Sequence, residues 1–191
     1  MVAVAARTGQ LLNMADIARD VGIDQTTVKT WLSVLQASDL VYILEPFSLN
    51  VTKRIVKTPK IYFTDTGLAC FLCRWSSPES LMNGAMAGNI FETYVLGEIL
   101  KSYYNAGKKP PLYFFRDKNC AEVDFLIYEN NTLYPLEVKK NSNPTKDDAR
   151  HFKTLSHTFP SSEIGDGGII CTCDSLLPVQ KGVTAIPVEF L

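Results

Sequence analysis

The sequence has no long hydrophobic run. Its uninterrupted apolar stretches are a few residues long, far short of the ~20 that a membrane-spanning helix needs, so no membrane partner is expected. The opening MVAVAART has no apolar core behind a basic stretch, the mark of a secretory leader, and a cytoplasmic location is expected. There is also no large charge of one sign. The net charge is −1, which excludes a polycation that coats nucleic acid through its overall field; a nucleic-acid surface here must be a local patch. The chain has only two histidines and an odd number of cysteines, five. It also lacks the G-x-x-x-x-G-K-[ST] loop: Gly107-Lys108 has neither the earlier glycine nor the following Ser/Thr, so no nucleotide is expected to bind in that way.

What is present is ordinary globular composition: 46% hydrophobic and 20% charged residues over 191 positions, which argues against disorder and allows one domain or two small ones. The charge is uneven. Residues 1–75 carry 8 Lys/Arg against 6 Asp/Glu, a balance of +2, and residues 76–191 carry 11 against 14, a balance of −3. The pairs Cys70/Cys73 and Cys171/Cys173 are compatible with a four-thiolate zinc site. They sit in apolar runs, DTGLACFLC and GGIICTCD, and also read as small reduced core residues.

The N-terminal third has helix punctuation. An alanine-rich start, within residues 1–12, reads as a first helix. Asn13 is placed to cap a second one, MADIARDV, which stops at Gly22. Asp24 is placed to cap a third, from Gln25 to about Ala37. Val28, Trp31, Leu32 and Leu35 form the i, i+3, i+4, i+7 stripe of a core-facing helix. Gln25, Thr26, Lys29, Thr30 and Ser33 lie on its outer face. A short helix, a glycine turn and a longer helix with a small polar face is the helix-turn-helix pattern. Two strand-like runs follow, Leu40–Pro46 and Lys60–Asp65. Between them Lys53, Arg54 and Lys57, with Lys60 just after, read as the basic tip of a wing that neutralises phosphates. The alternative is a helical unit that packs on another domain beside an ordinary solvated loop.

Residues 86–105 read as a helix with Ile90, Phe91, Tyr94, Val95 and Ile99 on its buried stripe and Glu92 beside it. Three strands follow, over 112–117, 121–129 and 132–140. If Asn130-Asn131 is a two-residue turn, facing residues sum to 261. Asp124 then falls opposite Glu137, and Glu122 opposite Lys139, all four on one face of the sheet. Val123, Phe125, Ile127, Leu136 and Val138 take the other face as core. Two opposed carboxylates repel, and a divalent Mg²⁺ or Mn²⁺ between them removes the repulsion. Lys139 is placed to orient a water and offset phosphate charge, with Glu92 completing the shell. The same four residues also read as a metal-free cross-strand charge cluster. A helix over 145–158 and two last strands, GGIICTCD and VTAIPVEFL, complete an α/β layered domain. His151 and His157 lack acidic or thiol partners at ligand spacing and read as surface or packing residues.

Glu92 … Asp124 … Glu137-Val138-Lys139 resembles the E … D … E-x-K core of PD-(D/E)XK nucleases, which include archaeal Holliday junction resolvases and many restriction enzymes. More widely, KRIVKTPKIYFTDTGLA, GNIFETYVL, YFFRDKNCAEVDFLI and LYPLEVKK resemble an uncharacterised domain at the C-terminal end of bacterial and archaeal AAA-type ATPases. That resemblance covers the chain from about Asn13 onward. It implies a winged helix-turn-helix over residues 1–75 and a restriction-endonuclease-like α/β domain with a mixed central sheet over 76–191. It makes Asp124 and Glu137 metal ligands, Lys139 the catalytic lysine and Glu92 the helix-borne acid. The proline of the motif name is replaced by Val123. The expected partners are DNA and an ATPase domain in the full-length protein. The expected function is Mg²⁺-dependent DNA cleavage or, without hydrolysis, a DNA- or protein-docking module of an ATPase; a winged-helix regulator with an effector domain is a third reading.

Overall fold

The computed structural model describes residues 1–49 and 55–191. By internal contacts it divides into two compact units: Met1–Leu44 with Thr58–Gly97, and Glu45–Lys57 with Glu98–Leu191. These units are not consecutive in sequence, unlike a cut at residue 75. The stretch between the first two long strands counts with the second unit, and the division falls inside a helix.

The first unit opens with α1 (Val2–Ala5) and β1 (Gln10–Leu11). The first helix expected in the alanine-rich start is present but only four residues long: the chain turns at Gly9 (φ 72°), and Gln10 and Leu11 pair with a strand about fifty residues away. α2 (Met14–Val21) starts on Asn13, whose side chain accepts from the Ala15 and Asp16 amides, and ends on left-handed Gly22. α3 (Gln25–Ala37) starts on Asp24, which accepts from the Thr27 amide. Both caps stand where the sequence puts them. β2 (Val41–Leu44) and β3 (Lys60–Phe63) pair antiparallel, and β1 lies on the other side of β3. α4 (Thr66–Leu72), α5 (Pro78–Met82) and α6 (Ala87–Asn105) follow, α6 leaving the unit after Gly97.

The core of this unit gathers Val4, Ile17, Val28, Leu32, Ile61, Phe63 and Ile90. Two assignments to helix stripes change. Trp31 is 54% exposed, beside exposed Val34, so α3 buries only Val28 and Leu32 fully. On α6, Tyr94 is exposed and Leu96 and Leu100 are buried instead. A stripe at helical spacing marks a face, and the width actually covered depends on the neighbour.

The second unit is built on one mixed seven-stranded sheet. Its strands are β4 (Leu112–Arg116), β5 (Glu122–Glu129), β6 (Thr132–Val138), β7 (Glu163–Ile164), β8 (Gly167–Cys171), β9 (Leu177–Gln180) and β10 (Val183–Pro187), with α7 (Phe152–Thr158) between β6 and β7. The order is β4-β5-β6-β8-β10-β9, with β7 also on β6. β4, β5 and β6 are antiparallel; β6, β8 and β10 are parallel, so α7 lies on a crossover. The protein is thus mixed α/β. Both sheet faces are covered, since Phe125 and Leu126, neighbours on β5, are each fully buried. Leu126, Leu133 and Ile169 pack with Phe152, Leu155 and Phe159 of the α7 segment.

Of the stretch 45–57, expected as a wing, the residues flanking 50–54 are the described ones, and they join the second unit. Pro46 bridges Phe114, and Ile55 bridges Asp117. Phe47 and Ile55 are buried in the second unit's core. Their apolar side chains gain more from that core than from water. Lys53 and Arg54 lie outside the described residues; Lys57 is exposed. The helix expected over 145–158 is likewise shorter. Residues 145–151 form turns whose amides reach back three residues, Asp148 to Thr145 and Arg150 to Asp147, with Asp148 Oδ2 accepting from the Thr145 amide. Among the described residues no helix is long and apolar enough to cross a membrane.

Candidate functional site

Asn130 and Asn131 adopt left-handed backbone, φ 50° and 62°, which is what a two-residue hairpin loop requires. The register that follows is the expected one: Glu129 faces Thr132, and the pairs continue to Phe125 and Leu136. Asp124 and Glu137 come one residue beyond the last ladder pair. There the Asp124 carboxylate takes over as acceptor: its Oδ2 receives the Val138 amide at 2.9 Å. Glu137 Oε1 receives Lys139 Nζ at 2.7 Å. Lys139 itself is fixed by its amide, which donates to Ile170 O of β8 at 2.9 Å. Glu122, the fourth member expected on this face, pairs with Arg116 across β4–β5 at 3.0 Å.

Glu137 is 8% exposed, and a carboxylate that deep needs partners to stay charged. Burial acts to lower the Lys139 ammonium, but the charge and hydrogen bond of Glu137, then Asp124 and Asp148, outweigh it, and the net direction is upward. Lys139 therefore keeps its proton near neutral pH and is a cation rather than a base. Among the described residues no group of three or more His, Cys, Asp or Glu side chains is arranged to hold a metal. Asp124 and Glu137 supply a two-carboxylate oxygen set, and Mg²⁺ commonly takes one or two carboxylates, with phosphate and water filling its remaining positions.

Glu92 belongs to the first unit. Its Oε1 accepts from Lys60 Nζ at 3.0 Å and from the Tyr62 hydroxyl. Lys60 is 3% exposed and Tyr62 fully buried, so Lys60 is no part of a phosphate-binding wing; that reading is corrected. Alternation along β3 puts Lys60 and Tyr62 on one side of the strand, a signal the sequence held and its basic-loop reading passed over. Also missed was the Arg150–His151 pair ahead of α7. Arg150 Nε donates to His151 Nε2 at 3.0 Å, and His151 feels Asp117, Lys139 and Glu122.

On α3, Gln25, Thr26 and Lys29 are exposed at the start of the helix. All five cysteines are free thiols. Cys171 and Cys173 are buried with sulfurs 3.1 Å apart. Burial first, then the hydrogen bond to Cys173, pushes Cys171 up to about 11, which leaves it protonated and unreactive near neutral pH.

No solved structure matches the chain. Two curated relatives are the uncharacterized protein Rv2008c of Mycobacterium tuberculosis and the uncharacterized protein Mb2031c of Mycobacterium bovis. Each is 26% identical over 181 residues, covering 95% of this chain and 39% of the relative. The chain thus spans about two fifths of their length. Residues 1–79 match the model of a domain of unknown function, DUF8612. Residues 87–191, more than half of the chain and the whole of the sheet that carries Asp124, Glu137 and Lys139, match another, and the protein belongs to that family, the domain of unknown function DUF4143.

Proposed function

We propose that this chain is the DNA-associated C-terminal region of an AAA-type ATPase, and that its second unit is a PD-(D/E)XK-like endonuclease dependent on Mg²⁺ or Mn²⁺. One observation carries the reading: Asp124 and Glu137 stand side by side where the β5–β6 ladder ends, with the Lys139 ammonium 2.7 Å from Glu137. The mixed sheet and the resemblance of Glu137-Val138-Lys139 to an E-x-K motif support it.

In this proposal Asp124 and Glu137 hold the cation. When bound, it supplies Lewis acidity toward a phosphodiester and acidifies a water. Lys139, protonated and anchored by Glu137, offsets the charge that builds on the phosphate. The Asp124 carboxylate is oriented by the Val138 amide. In the first unit, α2 and α3 act as a helix-turn-helix, with Gln25, Thr26 and Lys29 at the helix start that meets base edges in such modules. Lys57, and by sequence Lys53 and Arg54, supply phosphate contacts. Glu92, the helix-borne acid that the resemblance implies, is engaged within the first unit by Lys60 and Tyr62.

The test is nicking of supercoiled plasmid with Mg²⁺ or Mn²⁺. The parent is expected to nick, and Asp124→Ala, Glu137→Ala and Lys139→Ala to lose activity. Variants that cleave like the parent overturn the assignment. A second reading, a non-catalytic DNA- or protein-docking module, is favoured by the absence of a third ligating side chain among the described residues. It requires salt-sensitive DNA binding with no cleavage under any divalent ion.

A further inference from the structure

The segment after β6 carries a feature that the hydrolytic trio does not use. Arg150 and His151 precede α7, and the turn they close sets His151 within electrostatic reach of Asp117 at the end of β4, Glu122 at the start of β5 and Lys139 after β6. The His151 imidazole accepts the Arg150 Nε–H, which requires an unprotonated Nε2. Its pKa lies below the usual histidine value, by burial first and then by the Arg150 charge, so the bond holds at neutral pH. Arg150 is exposed, and that bond engages its Nε–H and not its two terminal amino groups.

The basic line continues. Lys153 and His157 are exposed on α7, one turn apart on one face, and Arg150 is exposed in the turn three residues before Lys153. Phe152 and Leu155 of α7, with Ala149 before it, are buried in the core. An acid, Asp147, is exposed three residues before Arg150. Lys153 also lines an open groove with Ser156, Gln180 and Lys181, and Asp166 is the acid there.

We infer that the exposed face of α7 is a track for a nucleic-acid backbone. Arg150, set in place by His151, takes the phosphate next to the Asp124–Glu137–Lys139 site, and Lys153 with Lys181 takes a further one. This rests on the nuclease reading for its choice of partner. A guanidinium grips a phosphate through paired N–H groups, and cations that neutralise phosphates carry no sequence information. The surface is therefore expected to bind duplexes indifferently to sequence.

The test is anisotropy of a fluorescein-labelled duplex against the full chain in EDTA, over a salt series. Arg150→Ala is expected to weaken binding about tenfold, and to reduce the slope of log K against log salt by about 1. His151→Ala, which keeps the cation but removes its anchor, is expected to weaken binding less and leave the slope alone. Lys153→Ala combined with Lys181→Ala is expected to reduce the slope further. Thermal melting confirms that these surface variants fold. Unchanged affinity and slope in Arg150→Ala overturn the inference alone, since plasmid nicking by the same variant still reports on the trio. A parent that binds no duplex overturns the track, and plasmid nicking by the same protein with Mg²⁺ or Mn²⁺ reports separately on the nuclease reading. Binding to vesicles rich in anionic lipid but not to duplex overturns the track in favour of a membrane surface.

Discussion

Lys60–Glu92 in the first unit and Lys139–Glu137 in the second are both lysine–glutamate pairs, and they differ in what surrounds them. Lys60 and Glu92 meet at 3.0 Å with side chains 3% and 14% exposed, and Tyr62 donates to the same carboxylate oxygen. Lys139 and Glu137 meet at 2.7 Å with side chains 32% and 11% exposed. In the first pair the cation is sealed in; in the second the cation reaches the surface at the end of a sheet. A sealed pair holds its own fold together, because removing either partner strands a buried charge. A pair open on its cationic side keeps an ammonium available to an incoming anion.

That contrast is sharpened first by stability. Lys60→Met is expected to lower unfolding free energy by about 3–5 kcal/mol, with Lys60→Met combined with Glu92→Leu recovering much of it; urea titration measures both. A Lys60→Met protein as stable as the parent breaks the comparison. Next comes activity. Lys139→Met is expected to lower the urea midpoint less than Lys60→Met does, while nicking falls by about 10²–10³-fold, the usual cost of losing one stabilising donor. Smaller again is Tyr62→Phe, which removes a hydrogen bond to a charged group and is expected to cost about 1.5–3 kcal/mol.

The smallest effect is in pH. The folded Lys139 value is raised, so the stability it contributes is fully present below the unfolded lysine value of about 10.4 and is lost as pH rises through the higher folded value. The stability difference between parent and Lys139→Met is therefore expected to stay flat from neutral pH to about 10 and to shrink above it. A difference that shrinks already below pH 9 contradicts a cation held by Glu137.

Local chemistry made much of this legible. Asn130-Asn131 demanded left-handed backbone, which set the turn, and the turn set the register that brings Asp124 beside Glu137. Asn13, Gly22 and Asp24 punctuated α2 and α3 because capping needs only neighbours. What stayed hidden was decided at a distance. Gln10 and Leu11 become strand only because β3 offers an edge. β7 is two residues long and exists by pairing with β6. Phe47 and Ile55 leave the expected wing for a core whose other buried residues begin at Phe115, sixty or more positions away in the chain. The burial of Lys60 depended on an acid thirty-two residues later, which a basic-loop reading of KRIVKTPK has no means to supply. Trp31 kept helical spacing, yet it stays 54% exposed.

The claim at the centre is that Asp124 and Glu137 together seat a divalent cation. Calorimetric titration of Mn²⁺ into the full chain tests it without any substrate. Saturable binding by the parent, lost in both Asp124→Ala and Glu137→Ala while thermal melting stays cooperative, is the expected result. Binding that persists unchanged in the Asp124→Ala/Glu137→Ala protein, or a parent that takes up no Mn²⁺, contradicts it.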